Sequence, residues 1–369
     1  MRYTVAELNE SNLRHNISQI KKFAPNSSIV AMVKSNAYGH GIEHYAKVLR
    51  EEGVKYLGFA FVDEAIEVRQ LGDSGKMIVL VSAQEDEIEK YLEFNIETTF
   101  SSFEIARLFS EKAKAQNKVV YAHLFVDTGM HRDGVSPEEA AKFIENADKL
   151  ENVEIIGICS HLSTADSDDL EFALEQMEIF NRTVEYIESK GYKFKYKHLS
   201  NSAGLVNIPC KACNLVRPGI SLHGLMSTKE LAKKMDLKPV LSLKSRVQLI
   251  KPVKKGETVG YSLKYIAEKD TNVAVVPIGY GDGLLRNLSN KMQCLIKGKR
   301  YNQIGTICMD ECMFDIGNSE VEPLDEVVII GKQGDEEISV YEIAELAGTI
   351  TYEVTTLITK RVPRIIINQ

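Results

Sequence analysis

The sequence predicts an α/β protein in which an N-terminal (β/α)8 TIM-type barrel, residues 1–235, is followed by a mostly β C-terminal domain, residues 236–369. In the first part, short apolar runs alternate with amphipathic segments, which is the pattern of βα repeats. Beyond about residue 235, short runs of alternating polarity are separated by turn residues instead. A doubly wound sheet is the competing architecture, but no GxGxxG motif follows the first predicted strand.

The barrel strands are predicted from eight runs, most rich in Val, Ile, Tyr and Phe, that are short enough for strands buried on both faces. The clearest helix between them is Asp168–Lys190, whose apolar residues recur at three- and four-residue steps. Ser136 followed by Pro137 is typical of a helix start. The predicted strands are Ile29–Lys34, Tyr56–Val62, Met77–Ala83, Ile96–Ser102, Val119–Asp127, Val153–His161, Tyr196–Ser202 and Leu215–Gly219.

The second domain is predicted from shorter alternating runs, which are typical of strands with one buried face. One helix is predicted near Val340–Ala347. The strand runs are Ser242–Ile250, Val273–Pro277, Gln293–Ile296, Arg300–Cys308 and Glu326–Ile330.

Composition excludes several classes of partner and site. The net charge of −7 comes without a basic block, so neither nucleic acid nor an anionic membrane is expected as a partner. The sequence has no secretion signal and no run of eighteen apolar residues, so a cytoplasmic location is expected. A zinc site is conceivable, but reduced thiols without a metal are the favoured interpretation of Cys210, Cys213, Cys308 and Cys312.

Polar residues recur where the predicted barrel strands end. Because active sites of such barrels lie at that rim, these residues are candidates for catalysis or binding. They are Lys34, Asp127 with Arg132 just beyond it, His161, Ser202 and Arg217.

Lys34 has two interpretations. A lysine at the end of a buried strand is usually an ion-pair partner or reaches solvent. Alternatively it is a desolvated amine with a lowered pKa, suited to forming a Schiff base. The loop that follows, with Tyr38 and Gly39, favours the second interpretation.

A phosphate site is expected after the last two strands of a barrel. Residues 198–203 (HLSNSA) and 217–220 (RPGI) occupy those positions. Ser202 offers a hydroxyl, and Gly219 lets backbone N–H groups approach an anion closely. Each segment alone is also compatible with an ordinary turn.

Seven segments make the sequence recognisable. VKSNAYGHG, VDTGMHRDG, SHLSTAD, VRPGI, PIGYGDGLLR, GTICMD and TITYEV, in this order, resemble the alanine racemase family of pyridoxal-phosphate enzymes. The resemblance extends over nearly the whole chain. It implies pyridoxal 5'-phosphate as the cofactor and a homodimer in which each active site is completed by the partner. The implied reaction interconverts L-alanine and D-alanine by a two-base mechanism, and thereby supplies D-alanine for cell-wall peptidoglycan.

The resemblance also implies residue roles. Lys34 holds the cofactor as a Schiff base and is one catalytic base, and Tyr261 is the other base, contributed by the second subunit. His161 stacks beside the cofactor ring. Arg217 faces the pyridine nitrogen, with His198 behind it. The implied phosphate site is Tyr38, Ser202, Gly219, Ile220 and Tyr352; the implied substrate contacts are Arg132, Met309, Asp310 and, at the mouth of the site, Tyr280.

Acid–base chemistry adds a requirement. Lysine and tyrosine side chains titrate near 10.4 and 10 in model peptides, so both bases need a lowered pKa to act at neutral pH. Without the resemblance, Tyr261 and Tyr265 would be taken for an ordinary tyrosine pair in a strand or turn.

Three positions depart from the family pattern. Phe125 stands where many members have a carbamylated lysine that binds the arginine matching Arg132, so a water, an anion such as chloride or another group must hold Arg132 here. Thr306 replaces a frequent arginine, which predicts a wider or less positive opening and tolerance of serine. Ser262 stands where glycine is common, with a minor effect expected.

Two other functions stay open. One is a serine or broad-specificity amino-acid racemase; Tyr352 favours alanine by limiting room for the side chain, but Thr306 leaves the preference open. The other is a non-catalytic pyridoxal-phosphate carrier, which needs neither a second base nor a second domain. The residues after the barrel, which include Tyr261 and Tyr280, argue against a carrier.

Overall fold

A computed structural model describes residues 2–368. Its first strand, β1 (Val5–Asn9), belongs to the second of two sheets. The first sheet is parallel, and its strands are β2 (Ser28–Met32), β3 (Tyr56–Phe59), β4 (Lys76–Val79), β5 (Thr98–Phe100), β6 (Val120–Phe125), β7 (Val153–Cys159), β8 (Tyr196–His198) and β9 (Leu215–Val216).

The parallel sheet closes into a barrel. The order of its strands within residues 2–368 is β4-β3-β2-β9-β8-β7-β6-β5. Its two ends meet at a parallel bridge between Ile78 and Glu97. The Glu97 N–H donates to the carbonyl of Met77 at 2.9 Å, and the Val79 N–H donates to the carbonyl of Glu97 at 3.0 Å. The predicted (β/α)8 barrel is confirmed.

Each predicted barrel strand is present, but most of the predicted runs extend too far at the carboxyl end. Ile29–Lys34, for example, is observed as Ser28–Met32, and Leu215–Gly219 as Leu215–Val216. The residues beyond each ladder belong to the loops at the rim. These loops carry the polar residues of the site. A predicted run that continues past the end of a strand therefore does not mean that the hydrogen bonding between strands continues there.

Helices surround the barrel and join the two sheets. Ser136 begins its helix as predicted, since its Oγ accepts the Glu139 N–H at 3.3 Å. The helix predicted over Asp168–Lys190 begins only at Glu171, whose N–H donates to the Asp169 carboxylate at 2.9 Å. The right-handed α-helices are Glu10–Phe23, Ile42–Glu51, Val62–Gln70, Ile88–Phe94, Phe103–Ala115, Pro137–Ala147, Glu171–Ser189, Ser202–Asn207, Lys229–Ala232, Val340–Ala347 and Thr351–Thr356.

The second sheet is mostly antiparallel, and the predicted mostly β character of this part of the chain is confirmed. In residues 2–368 its main order is β11-β12-β15-β14-β13-β16-β10-β1-β18, with β17 paired to β16. Its remaining strands are β10 (Leu241–Arg246), β11 (Leu249–Val253), β12 (Thr271–Val276), β13 (Gln293–Ile296), β14 (Lys299–Ile304), β15 (Cys312–Asp315), β16 (Glu326–Gln333), β17 (Glu336–Ile338) and β18 (Arg364–Ile367).

The start of the chain takes part in this second sheet. β1 pairs antiparallel with β10 and parallel with β18. The division of the chain at residues 235 and 236 stays a prediction, and β1 is a segment of the first range that the sequence analysis did not identify as a strand.

Two predicted strands of the second domain are wrong in extent. The run Ser242–Ile250 contains two strands, because the backbone turns away at Val247 and Gln248 to bond other partners. The run Arg300–Cys308 leaves the ladder after Ile304, where Gly305 has a φ of +74°. Among the described residues, no helix combines the length and the apolarity needed to cross a membrane.

Candidate active site

One cavity of about 410 Å³ opens at the carboxyl ends of the barrel strands. It brings together most of the side chains that the sequence singled out. The predicted residues that line it are Lys34, Tyr38, Arg132, His161, Ser202, Arg217, Gly219, Ile220 and Tyr352.

A left-handed turn follows Lys34 directly. Residues Ser35–Tyr38 have φ values of 52° to 55° although none is glycine. Each such residue costs about 1–2 kcal/mol, so other contacts must hold the turn. The Glu64 carboxylate accepts the first N–H of the turn. The Arg364 guanidinium donates to the carbonyl of Gly39 at 2.6 Å. The turn thereby fixes the direction in which the chain leaves Lys34.

The Lys34 amine is partly buried and has no hydrogen bond or ion pair within residues 2–368. Burial lowers the pKa of Lys34, and the nearby cations Arg132 and Arg217 lower it further. The Glu64 carboxylate opposes this shift without reversing it. A free amine with a lowered pKa is suited to act as a nucleophile or a base.

Arg217 is held rigidly in the floor of the cavity, where it is only 3% exposed. Its guanidinium donates to His198 Nδ1 at 2.7 Å and to the carbonyl of Ser160 at 2.7 Å. A longer contact of 3.3 Å joins it to His161 Nδ1. These acceptors fix the plane of the guanidinium, and His198 lies directly against it.

His161 is a neutral imidazole. Burial, and then the positive charges of Arg217, Arg132 and Lys34, lower the pKa of His161 to about 3. Near neutral pH it can therefore accept a hydrogen bond at one nitrogen and donate one from the other, without carrying charge.

Hydroxyl and N–H groups converge at one end of the cavity. Ser202 Oγ accepts the N–H groups of Gly219 at 2.9 Å and Ser221 at 3.3 Å. A Cβ at Gly219 would overlap the hydroxyl of Tyr38, so only glycine allows this approach. Burial raises the pKa values of Tyr38 and Tyr352, which keeps both phenols protonated as donors. This end of the cavity is suited to an anion.

Apart from Tyr352, the predicted residues of the second domain are not part of this cavity. Tyr261 is 68% exposed, and Met309 and Tyr280 are also exposed. Asp310 lies beside Met309 and pairs with the Arg361 guanidinium at 2.7 Å. The N–H groups of Tyr280 and the following residue donate to the carbonyls of Cys308 and Met309 at 3.0 and 2.9 Å. The predicted set is therefore divided between a buried cavity and an exposed surface.

The three departures from the family pattern each have a structural counterpart. Phe125 is buried and lines the cavity. Arg132 Nε lies 3.2 Å from a carboxylate oxygen of Asp133, a partner that the sequence analysis missed although it is adjacent in the chain. Thr306 is buried, and its hydroxyl donates to the carbonyl of Tyr261. Ser262 adopts a left-handed conformation, with a φ of +62°.

Sequence reasoning also missed His123. Its Nδ1 lies 2.7 Å from Nε2 of His198, on the side of His198 away from Arg217. The available signal was a histidine inside the apolar run 120–125, VYAHLF, since a polar residue in a barrel strand needs a buried partner.

Comparison with known proteins agrees with this architecture. A family model described as "Alanine racemase, N-terminal domain" matches residues 8–227, and one described as "Alanine racemase, C-terminal domain" matches residues 240–366. The chain is 41% identical over 367 residues to the alanine racemase of Carboxydothermus hydrogenoformans, covering 99% of this chain and all of that protein.

Solved structures superpose over the whole chain. The alanine racemase of Clostridium difficile 630 is 34% identical, with a TM-score of 0.95, and the match covers 99% of this chain and 96% of that one. A histidine racemase from Leuconostoc mesenteroides is 29% identical, with a TM-score of 0.91 and coverage of 100% and 98%. Both family models and full-length relatives thus coincide with the barrel, the cavity and the second sheet, and the chain belongs to the alanine racemase family.

Proposed function

We propose that this chain is an alanine racemase that interconverts L-alanine and D-alanine with pyridoxal 5'-phosphate, and so supplies D-alanine for the cell wall. The observation that carries the proposal is the convergence in one cavity of the unpaired Lys34 amine, the buried Arg217 guanidinium and the donors around Ser202. We assign residues 1–235 to cofactor binding and residues 236–369 to supplying the second base, and we expect the enzyme to act in the cytoplasm.

The residues present fit this cofactor. Lys34 offers a free amine for its carbonyl carbon, and Ser202, Gly219, Ile220 and Tyr38 surround the end that suits a phosphate. Tyr352 closes the same end as a protonated phenol. Arg217 offers only donors, so it suits a ring nitrogen that accepts a hydrogen bond. When bound, pyridoxal 5'-phosphate supplies an electron sink that acidifies the α-proton of the amino acid.

Racemisation requires a proton to leave one face of the α-carbon and another to arrive on the opposite face. Lys34 is the base on one face, because its lowered pKa lets it give and take a proton near neutral pH. Tyr261 of a second copy of the chain is the base on the other face. His161, a neutral imidazole, positions the Tyr261 phenol through a hydrogen bond. Arg132 with Met309, Asp310 and Tyr280 of the second copy orients the substrate.

A second copy is proposed because Tyr261 lies outside the cavity of its own chain. The surface around it exposes apolar side chains, since Leu263 is 65% exposed and Ile266 is 59% exposed, with Met309 nearby in the same domain. An apolar patch of this kind marks an interaction surface. The homodimer covers it and completes two shared sites.

The decisive experiment mixes two inactive variants. Lys34→Ala removes one base and Tyr261→Phe removes the other, so each homodimer is expected to be inactive in the conversion of L-alanine to D-alanine. If the two bases come from different chains, a mixed dimer of the variants contains one intact site, and activity returns when the proteins are refolded or expressed together. Absence of activity in the mixture, with mixed dimers demonstrated by differential tags, would contradict the shared site.

A serine or broad-specificity racemase is the second candidate, and the similarity to a histidine racemase favours keeping it. α-Deuterated alanine and serine distinguish the two by their rates of deuterium loss to solvent. A non-catalytic cofactor carrier would release no deuterium from either, and that result would overturn the proposed function.

A further inference from the structure

A line of buried polar side chains runs from Arg217 down the interior of the barrel, away from the cavity. The Arg217 guanidinium lies 2.7 Å from His198 Nδ1, and His198 Nε2 lies 2.7 Å from His123 Nδ1. His123 Nε2 in turn faces a carboxylate oxygen of Glu97 at 3.4 Å. His198 and His123 are fully buried, and Glu97 is nearly so.

The two atoms at the far end have no other partner. His123 Nε2 and Glu97 Oε2 are both buried and make no regular hydrogen bond to another residue in the described part of the chain. An unpaired buried polar atom costs about 1–3 kcal/mol. Their mutual contact at 3.4 Å is longer than a regular hydrogen bond, and it gives each atom a partner of opposite character.

The direction of every proton in the line follows from Arg217. A guanidinium only donates, so His198 Nδ1 must be the acceptor. Burial and the Arg217 cation lower the pKa of His198, and burial lowers the pKa of His123, so both rings are neutral with one proton each. The His198 proton is then on Nε2 and points at His123 Nδ1. The His123 proton is likewise on Nε2 and points at Glu97.

Glu97 is the anion of the line. It lies at the seam that closes the barrel, next to the bridge with Ile78. Its other oxygen accepts from the Tyr56 hydroxyl at 3.1 Å and from Lys76 Nζ at 3.2 Å. Burial opposes its charge, but His123 and Lys76 hold the pKa of Glu97 below its ordinary value. It is therefore a carboxylate near neutral pH.

Arg217, at the other end, has no carboxylate partner in residues 2–368. The buried thiol of Cys159 supplies no charge, since burial raises the pKa of Cys159 to about 12. A buried cation without a partner is costly. Polarised hydrogen bonds through two histidines are what connect it to an anion.

We infer that Glu97 is a positioning residue for the proposed racemisation, acting on Arg217 from the opposite side of the barrel. Through His123 and His198, Glu97 stabilises the one pair of tautomers in which His198 accepts a hydrogen bond from Arg217. Glu97 thereby keeps the guanidinium directed at the cofactor site. The inference rests on the proposed function for its catalytic consequence, but the tautomers themselves do not depend on activity.

The tautomers are measured first, by nitrogen-15 NMR of protein labelled at histidine, without cofactor and with it. Both His198 and His123 are expected to carry their proton on Nε2 in the wild-type chain. A proton on Nδ1 of either ring overturns the inference without any variant being made. The signals of His123 are assigned as the ones that disappear in the His123→Gln variant.

The second measurement uses Glu97→Gln, which keeps the shape but removes the charge and offers a donor to His123 Nε2. We expect that His123 and His198 no longer hold a single tautomer. We also expect kcat for alanine to fall about tenfold, which corresponds to about 1.4 kcal/mol of activation free energy, and KM to change less than about threefold. Tyr56→Phe is the matched control, because it removes a partner of the other Glu97 oxygen and leaves His123 untouched; it should keep the tautomers and kcat.

The outcomes separate the two proposals. A wild-type chain with the expected tautomers but no racemisation contradicts the proposed function and leaves the hydrogen-bond line standing. A racemase in which Glu97→Gln keeps both the tautomers and kcat contradicts the role of Glu97. If Glu97→Gln does not fold, Glu97→Asp, whose shorter side chain draws the carboxylate back from His123, replaces it and is judged by the same tautomers and kcat.

Discussion

The hydroxyl of Thr306 donates a hydrogen bond to the backbone carbonyl of Tyr261, at 2.9 Å. Thr306 is only 3% exposed, whereas Tyr261 is largely open to solvent. The loop that carries Tyr261, the proposed second base, is therefore held by a buried hydrogen-bond donor. That donor is Thr306, the residue that stands where family members frequently have an arginine.

Removing that anchor should reduce turnover. Thr306→Val keeps the shape of the side chain but leaves the Tyr261 carbonyl without its partner, a loss of about 1 kcal/mol. We expect kcat for alanine to fall about three- to tenfold through looser placement of Tyr261, with cofactor affinity unchanged. Thr306→Ser keeps the hydroxyl and serves as the control. Equal kcat values for the valine and wild-type chains would show that the bond does not position Tyr261.

Asp133 is predicted to hold Arg132 in place of a carbamylated lysine. The pair is at 3.2 Å and partly solvated, so its contribution is about 0.5 kcal/mol. We expect Asp133→Asn to raise KM for alanine about two- to threefold, and Asp133→Glu to change it less. Wild-type KM measured with and without chloride should be the same; a strong dependence on chloride would mean that a bound anion, and not Asp133, holds Arg132.

Gly219 is predicted to be intolerant of any side chain. A methyl group there would overlap the Tyr38 hydroxyl in the proposed phosphate site. We expect Gly219→Ala to weaken pyridoxal 5'-phosphate binding at least tenfold, measured by titration of the cofactor absorption band. Adding Tyr38→Phe removes the overlapping oxygen, so the double variant should bind the cofactor better than Gly219→Ala alone. Unchanged affinity in Gly219→Ala would place the phosphate elsewhere.

Acid should destabilise the fold through buried histidines. Burial lowers the pKa of His40 to about 4. Between about pH 4 and the unfolded value of about 6.5, the unfolded chain binds a proton that the folded chain does not, so the free energy of unfolding falls as pH falls. In that window His40→Asn should reduce the pH slope by up to about 1.4 kcal/mol per pH unit. At about pH 8 the slope of the variant and the wild type should agree, and identical slopes in the acid window would contradict the assignment.

Serine is predicted to be a substrate, because Thr306 is shorter and uncharged compared with the arginine frequent in relatives. The expected result is measurable racemisation of L-serine, slower than that of L-alanine. Thr306→Arg should lower the serine-to-alanine ratio of kcat/KM. Serine conversion at background level in the wild-type chain would rule this prediction out.

The sequence predicts the barrel well because strands buried on both faces are continuous apolar runs, such as Tyr56–Phe59. The sequence places Lys34, Arg217 and Ser202 at the rim of the barrel, because the order of the predicted strands alone shows that their carboxyl ends meet there. It does not reveal the contact of His123 with Glu97, since the two residues meet only through the register of neighbouring strands. The break at Val247 was missed because the residues on both sides alternate in polarity like one strand.

The position of β1 has a consequence for how the protein folds during its synthesis. Val5–Asn9 is made well before its neighbours in the sheet, Leu241–Arg246 and Arg364–Ile367, which lie far along the chain. During synthesis the barrel can therefore close while β1 still lacks both of its neighbouring strands. Contacts so distant along the chain form slowly, and unpaired strand edges favour aggregation. Synthesis of Arg364–Ile367, rather than closure of the barrel, is then the step after which this part of the second sheet can first be completed.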